Sequence, residues 1–152
     1  MGTIRPGDAQ RISSGRAIEH SEYNASADKS VHLLQIWLLP ASAGIAPGYE
    51  EKRPPVVAPR TRRIDLIVGP DGGEGAVTIA QDARNHRVRL APGQQLTHDL
   101  ASDRHAWVQV ARGAATVLGE ALDTGDSFAV SAAERLAFGA EGDAELLLFD
   151  LA

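Results

Sequence analysis

Turn-forming residues divide this 152-residue chain into short apolar runs, and no run shows a sustained helical period. Gly, Pro and Asp recur between the runs, which is typical of an all-β fold. The strand-like runs are VHLLQIWLLP (31–40), IDLIVG (64–69), AVTIAQDA (76–83), HAWVQVARGAATVLG (105–119) and AELLLFDLA (144–152). Only 131–135 favours a helix, of about one turn. The sequence therefore predicts strands along most of the chain.

The residues between these runs predict how the strands connect. The segment 70–75, PDGGEG, forms a turn between two runs, and 141–143 forms another before the last run. Gly119 and Glu120 stand between two apolar pairs, an arrangement that predicts a two-residue hairpin loop.

A proline-rich segment predicts the domain organisation. Residues 46–63 contain four prolines and mixed charge, which favours a linker. It separates an N-terminal piece, 1–45, from a C-terminal domain, 64–152. A piece of about 45 residues rarely buries enough apolar surface to fold alone.

Composition restricts the classes of function. The net charge of −5 argues against a nucleic-acid partner, because phosphate binding needs a basic surplus. The chain has no cysteine, so disulfides and thiolate metal sites are excluded and His, Asp and Glu remain as ligands. No apolar run is long enough to cross a membrane, and no signal-peptide pattern is present. We therefore expect a cytoplasmic protein that binds neither membranes nor nucleic acids.

One short motif carries possible metal chemistry. His20 and Glu22 are two residues apart in RAIEHSEYN (16–24). On a strand, such residues point to the same face and their side chains can converge on one ion. If they instead lie at a strand end, they are ordinary polar residues. The spacing alone leaves both interpretations open.

The motif and its neighbours resemble the pirins, a family with two cupin domains that includes bacterial quercetinases. The resemblance lies in GTIRPGDAQRISSG (2–15), IEHSEYNAS (18–26), VHLLQIWLLP (31–40) and GYEEK (48–52). It continues through VTIAQDAR (77–84), the 105–122 segment, GDSFAVS (125–131) and LLLFDL (146–151). It therefore covers essentially the whole chain, and the combination of RPGD, H-S-E-x-N and LQIW is specific.

The resemblance implies two cupin β-barrels, with one metal site in the N-terminal barrel formed by three histidines and a glutamate. His20 and Glu22 match two of these ligands. The other two belong to an H-x-H motif upstream of RPGD, and this chain contains no H-x-H. We therefore expect a complete C-terminal cupin barrel, a partial N-terminal barrel and an incomplete metal site. The metal expected is a divalent first-row ion, iron first, with nickel, copper, manganese or zinc as alternatives, or no metal at all.

The other histidines are weaker candidates for a third ligand. His32 is expected as a polar residue at the barrel rim, on a strand formed by 31–40. His86 lies in the polar segment 84–87 and is expected to be solvated. His98 and His105 fall in the second barrel, in which pirins generally carry no metal.

Two functions follow from the resemblance. The first is a metal-dependent quercetin 2,3-dioxygenase, in which the metal binds a flavonol and Glu22 is available as a catalytic base toward the substrate hydroxyl. The second is a non-catalytic, metal-free interaction or regulatory module. Because 31–40 is apolar on both faces, we expect it to be covered by a second copy of the chain, giving a dimer or other homo-oligomer, or by a separate N-terminal half-barrel.

Overall fold

The computed structural model describes residues 2–53, 63–73, 75–131 and 135–152. Within these ranges the secondary structure is all β, as the turn pattern predicts, with no helix able to cross a membrane. The strands are β1 (Ala9–Ser13), β2 (Gly48–Lys52), β3 (Arg63–Gly69), β4 (Val77–Thr78), β5 (Ala83–Leu90), β6 (Gln95–Asp99), β7 (His105–Arg112), β8 (Ala114–Val117), β9 (Glu120–Asp123), β10 (Ser127–Ser131), β11 (Arg135–Gly139) and β12 (Ala144–Leu151).

The C-terminal strands form two sheets that pack against each other. One sheet has the order β10-β7-β12-β5-β3-β4, and the other has the order β6-β11-β8-β9. Alternate side chains of β7 and β12 point between the sheets, where Val108, Leu146 and Leu148 are fully buried. This alternation stabilises the barrel by removing one face of each sheet from water.

The predicted long strand 105–119 is interrupted at Gly113. The backbone there has φ +78°, and a Cβ atom would overlap the carbonyl oxygen of Asp143. Only glycine fits such a close approach without strain. The run therefore forms two strands, β7 in one sheet and β8 in the other.

The predicted hairpin is confirmed between β8 and β9, but its loop is one residue earlier than expected. The two loop residues are Leu118, at φ 51°, and Gly119, at φ 89°. Both positive values fit the primed turns that match the twist of paired strands. The pattern failed to locate the loop because leucine rarely adopts this conformation.

Two further predictions fail in part. The run 76–83 supplies only the two-residue β4, which pairs in parallel with β3, and the first residue of β5. Of the helical candidate 131–135, Ser131 ends β10 and Arg135 begins β11, while 132–134 lie outside the described residues.

The N-terminal piece has little regular structure. β1 pairs with β2 as an antiparallel two-stranded sheet, so Gly48–Lys52, within the predicted linker, belongs to this sheet. Residues 54–62 of the predicted linker lie outside the described residues. The prediction of a strand at 31–40 is wrong, because this segment has no ladder partner among the described residues.

A few polar contacts fix this piece to the barrel. Glu50 accepts a 2.7 Å hydrogen bond from the backbone N–H of Thr78, and Lys52 donates to the carbonyl of Ala76. Gln81 donates to the carbonyl of Leu39 at 2.7 Å. These contacts place 31–40 beside the larger sheet although it does not join that sheet.

Candidate functional site

The RPGD segment forms a tight turn that leads into β1. The backbone N–H of Asp8 donates to the Arg5 carbonyl at 2.9 Å, and the Asp8 carboxylate accepts from the Arg5 N–H at 2.8 Å. Gly7 has φ +88°, as the third position of such a turn requires. The Arg53 guanidinium donates to Asp8 at 2.7 Å and lowers the pKa of that carboxyl group. The turn thereby holds the entrance to β1 against the end of β2.

His20 and Glu22 lie in an exposed segment after β1, outside the described strands. The strand geometry under which the spacing favours a metal site is therefore absent here, and the role of the two residues as metal ligands stays a prediction. Glu22 is instead positioned by β1, because the Gln10 side-chain amide donates to its carboxylate at 2.9 Å. The same Gln10 amide oxygen accepts from the Tyr49 hydroxyl at 3.4 Å.

The metal-ligand set is incomplete among the residues that the structure describes. The described residues contain no group of three or more His, Asp or Glu side chains placed to hold one ion. A first-row metal centre needs at least three ligands to be held well. His20 and Glu22 therefore do not constitute a metal site by themselves.

The remaining histidines divide into two surface residues and an inward-facing pair. His32 is exposed in the 31–40 segment, and His105 is exposed at the start of β7, where its Nδ1 lies 2.8 Å from the Ser131 hydroxyl. The prediction that His86 is solvated is wrong: it lies on β5, half-buried beside His98 of β6. The polar composition of 84–87 concealed the alternation that turns His86 inward.

An apolar groove separates the 34–38 segment from the outer face of the larger sheet. Its volume is about 340 Å³, and β7 and β12 contribute its floor. Trp107 is opposite Phe149 in the ladder of these strands, and both line the groove. The segment is nevertheless largely open to solvent: Trp37, at the edge of the groove, is 88% exposed, and Leu39 is 85% exposed. One face of 31–40 thus contacts the barrel, and the other is uncovered.

A polar pocket lies beside the RPGD turn, and sequence reasoning missed it. Its volume is about 400 Å³, and its lining includes Gly7 of the RPGD turn and His32. The other charged lining residues are Arg53, Arg87, Arg89, Arg112 and Glu145. Asp65 pairs with Arg89 at 2.9 Å and Arg87 at 3.7 Å. The sequence signal for this pocket was the spacing of Arg87 and Arg89, which are two residues apart on β5 and therefore lie on the same, outer face of the strand.

Two closely packed sheets around a single apolar core define the C-terminal unit as a cupin-type β-barrel. Residues 66–151 match the model of the quercetinase C-terminal cupin domain. Residues 1–38 match the model of the pirin family. The chain therefore belongs to the pirin family.

Relatives of known name extend this similarity over nearly the whole chain. The chain is 37% identical over 148 residues to quercetin 2,3-dioxygenase of Escherichia coli K12, covering 97% of this chain and 62% of that protein. The crystal structure of YhhW from Escherichia coli superposes with a TM-score of 0.90 at 36% identity, covering 98% of this chain and 62% of the other. A second structure, of bacterial pirin YhhW in complex with nickel(II), gives a TM-score of 0.85 at 36% identity, covering 95% and 61%. The chain thus spans less than two thirds of the length of these relatives.

Proposed function

We propose that this chain supplies His20 and Glu22 to a divalent-metal site of the quercetin 2,3-dioxygenase type, completed by ligands from another polypeptide segment. The observation that carries the proposal is the similarity over 97% of the chain to a protein named quercetin 2,3-dioxygenase. The nickel(II) complex of a pirin is consistent with a divalent ion as the metal. Iron remains our first expectation for this chain, with nickel, copper, manganese and zinc as alternatives.

The placement of Glu22 suits a proton-transfer role. Its carboxylate is exposed, and the hydrogen bond from Gln10 restrains one oxygen while the other can face a ligand. A general base must come within hydrogen-bonding reach of the proton it removes. We therefore assign Glu22 the role of catalytic base toward the hydroxyl group of a flavonol-like substrate.

The uncovered face of 31–39 is the surface on which the completing segment would pack. Trp37 and Leu39 are largely exposed, and monomeric proteins rarely leave such a patch uncovered. A separate N-terminal half-barrel would cover the patch and bring the H-x-H ligands. A second copy would cover it without supplying an H-x-H, since the chain has none.

A non-catalytic, metal-free interaction module is the second candidate function. The incomplete ligand set among the described residues favours it. It would use the same uncovered face for partner binding and would have no need of Glu22.

Co-expression separates these possibilities. The 152-residue chain is produced alone and together with the part of Escherichia coli quercetin 2,3-dioxygenase that it does not match, and metal content and oxygen uptake with quercetin are measured. We expect metal and activity only in the complex, with both lost in His20→Ala and activity lost in Glu22→Gln. Glu19→Gln, an exposed neighbour, is the matched control and should retain both.

Two results would contradict the proposal. One is a stable complex that binds no metal and consumes no oxygen, which would support the non-catalytic module. The other is activity that survives both the His20 and the Glu22 substitution.

Light scattering of the chain alone shows whether a second copy covers the patch, and Trp37→Ser should then abolish the dimer.

A further inference from the structure

The polar pocket beside the RPGD turn is built from both parts of the chain. The N-terminal piece contributes Pro6, Gly7, His32 and Arg53, and the barrel contributes Arg87, Arg89, Arg112 and Glu145. Its volume of about 400 Å³ falls in the range of small-molecule sites, about 300–1,000 Å³. Four of the eight described lining residues are arginines, although the whole chain has a net charge of −5. The pocket thus concentrates positive charge in an acidic protein.

Arg87 lies in the wall of this pocket with few of its hydrogen bonds made. Its side chain is only 9% exposed, and its ion pair with Asp65 is long, at 3.7 Å. Among the described residues, its one hydrogen bond runs from Nη1 to the Gly7 carbonyl at 3.4 Å, and its sealed Nε has no acceptor. A guanidinium carries five N–H donors, and leaving them unpaired away from water is unfavourable. The buried Arg87 therefore indicates an acceptor beyond those that the described residues provide.

A β-bulge brings Arg112 to the same face of the sheet. The register between β7 and β12 shifts here, so that Glu145 pairs with Arg112 instead of Ala111. Glu145 is also opposite Arg89 of β5. Residues directly opposite in an antiparallel ladder share a face, so the two arginines and the glutamate form a row across three strands. Bulges of this kind often redirect a side chain next to a functional site.

The neighbouring carboxylates do not neutralise all four arginines. Asp8 accepts two hydrogen bonds from Arg53, at 2.7 and 3.0 Å. Asp65 pairs with the two arginines of β5. Arg112 and Glu145 make no ion pair with the described residues. The guanidinium of Arg112 is therefore available to a ligand.

We propose that this pocket binds a small organic phosphate, with Arg87 and Arg112 contacting the phosphate group. Hydrogen bonds from arginine to an oxyanion are charge-assisted, and the planar guanidinium matches phosphate geometry. Phosphate suits the pocket better than a carboxylate, because its tetrahedral oxygens can accept from several sides. Here the arginines come from the end of β2, from β5 and from β7. The proposal is independent of the function proposed for His20 and Glu22.

Glu145 gives the pocket a preference for an organic phosphate over the bare ion. Its unpaired carboxylate repels a free anion in the same pocket. The same carboxylate can accept a hydrogen bond from a hydroxyl group that the ligand carries beside its phosphate. Sugar phosphates and polyol phosphates combine these two groups.

Calorimetric titration of the full chain tests the pocket with ribose 5-phosphate, inorganic phosphate and ribose. We expect 1:1 binding of ribose 5-phosphate, weaker binding of inorganic phosphate and none of ribose. Arg112→Gln should weaken the binding of ribose 5-phosphate roughly tenfold or more. Glu145→Gln should bind inorganic phosphate several-fold more tightly, because the repulsion is removed. Arg135→Gln, which removes an exposed arginine paired with Asp99 on the smaller sheet, is the matched control and should bind like the wild type.

Several outcomes would overturn the proposal. They are no binding of ribose 5-phosphate by the wild type, unchanged binding in Arg112→Gln, or equal weakening in Arg135→Gln. Displacement of ribose 5-phosphate by an equal concentration of citrate would assign the pocket to carboxylates instead. If Arg112→Gln does not fold, backbone-amide NMR of the wild type decides the question. Ribose 5-phosphate should shift the Gly7, Arg89 and Arg112 signals first, and earlier shifts elsewhere would contradict the site.

Discussion

Apolar side chains are buried in the C-terminal barrel but largely exposed in the N-terminal piece. In the barrel, leucine and valine are enclosed between two sheets, and several of them are completely buried. In the N-terminal piece, an equally apolar run lies along the outside of the barrel with one face exposed. The difference indicates that these apolar runs are buried where they pair with neighbouring strands and a second sheet covers them, and stay exposed where they do not.

A matched pair of leucine truncations tests this comparison most strongly. Leu146 is fully buried in the barrel core, whereas the Leu39 side chain is 85% exposed. Leu146→Ala should lower the free energy of unfolding by about 3 kcal/mol, because it removes buried methyl groups and leaves a cavity. Leu39→Ala should change it by less than about 0.5 kcal/mol. Urea unfolding measures both, and equal losses would show that the N-terminal segment is part of the cooperative core.

A smaller loss of stability is expected when a glycine of the barrel is replaced by alanine. Gly113 and Gly93 both have positive φ, but only Gly113 has backbone atoms where a Cβ would lie. Gly113→Ala should destabilise the barrel by about 2–3 kcal/mol through both strain and overlap. Gly93→Ala should cost about 1 kcal/mol, from conformation alone. Thermal melts of the two variants compare the contributions, and indistinguishable melting temperatures would contradict the close approach at Asp143.

The smallest expected effect is local to the junction at which Glu50 of β2 accepts a hydrogen bond from Thr78 of β4. The Thr78 N–H, followed by Lys52, lowers the pKa of Glu50, so the junction favours the ionised carboxylate. The stabilisation is present above the ordinary value of 4.5 and is lost as the pH falls through the lowered value. Glu50→Gln should therefore lower the protection factor of the Thr78 amide several-fold, and acid should do the same in the wild type once the intrinsic pH dependence of exchange is divided out.

The control for this junction is Glu51→Gln. Glu51 is exposed and accepts from the Tyr49 hydroxyl, with no contact to the barrel among the described hydrogen bonds. Exchange at Thr78 should be unchanged in this variant, and the melting temperature of the barrel should be unchanged in both. A fall in melting temperature with Glu50→Gln alone would mean that the junction stabilises the barrel as a whole.

Much of the barrel could be predicted from the sequence, because alternation fixes which face of a strand is buried. β7 follows that pattern, whereas β12 is buried along most of its length and reads as a continuous apolar run. The run 31–40 misled the prediction, because strand-forming residues do not by themselves provide a hydrogen-bonding neighbour. The parallel pairing of β3 with β4 was also beyond local pattern, since the connection must bring the chain back so that β4 runs in the same direction as β3.

The candidate site was less predictable than the fold. His20 and Glu22 could be singled out by their spacing and by the family resemblance, but the hydrogen bond from Gln10 to Glu22 depends on how the chain returns toward β1. The His86–His98 pair joins residues on two different sheets, and no local spacing encodes that meeting. Composition also hid it, because charged neighbours surround His86 in the sequence.

The position of the two tryptophans has an optical consequence. Trp37 and Trp107 are the chain's only tryptophans, and both line the apolar groove. Trp107 lies on the barrel side of the groove, whereas the more exposed Trp37 belongs to the segment on which a covering chain would pack. Docking there would move Trp37 from water into an apolar environment and shift the emission toward the blue. The native protein thus carries its own fluorescent reporter of whether that face is occupied.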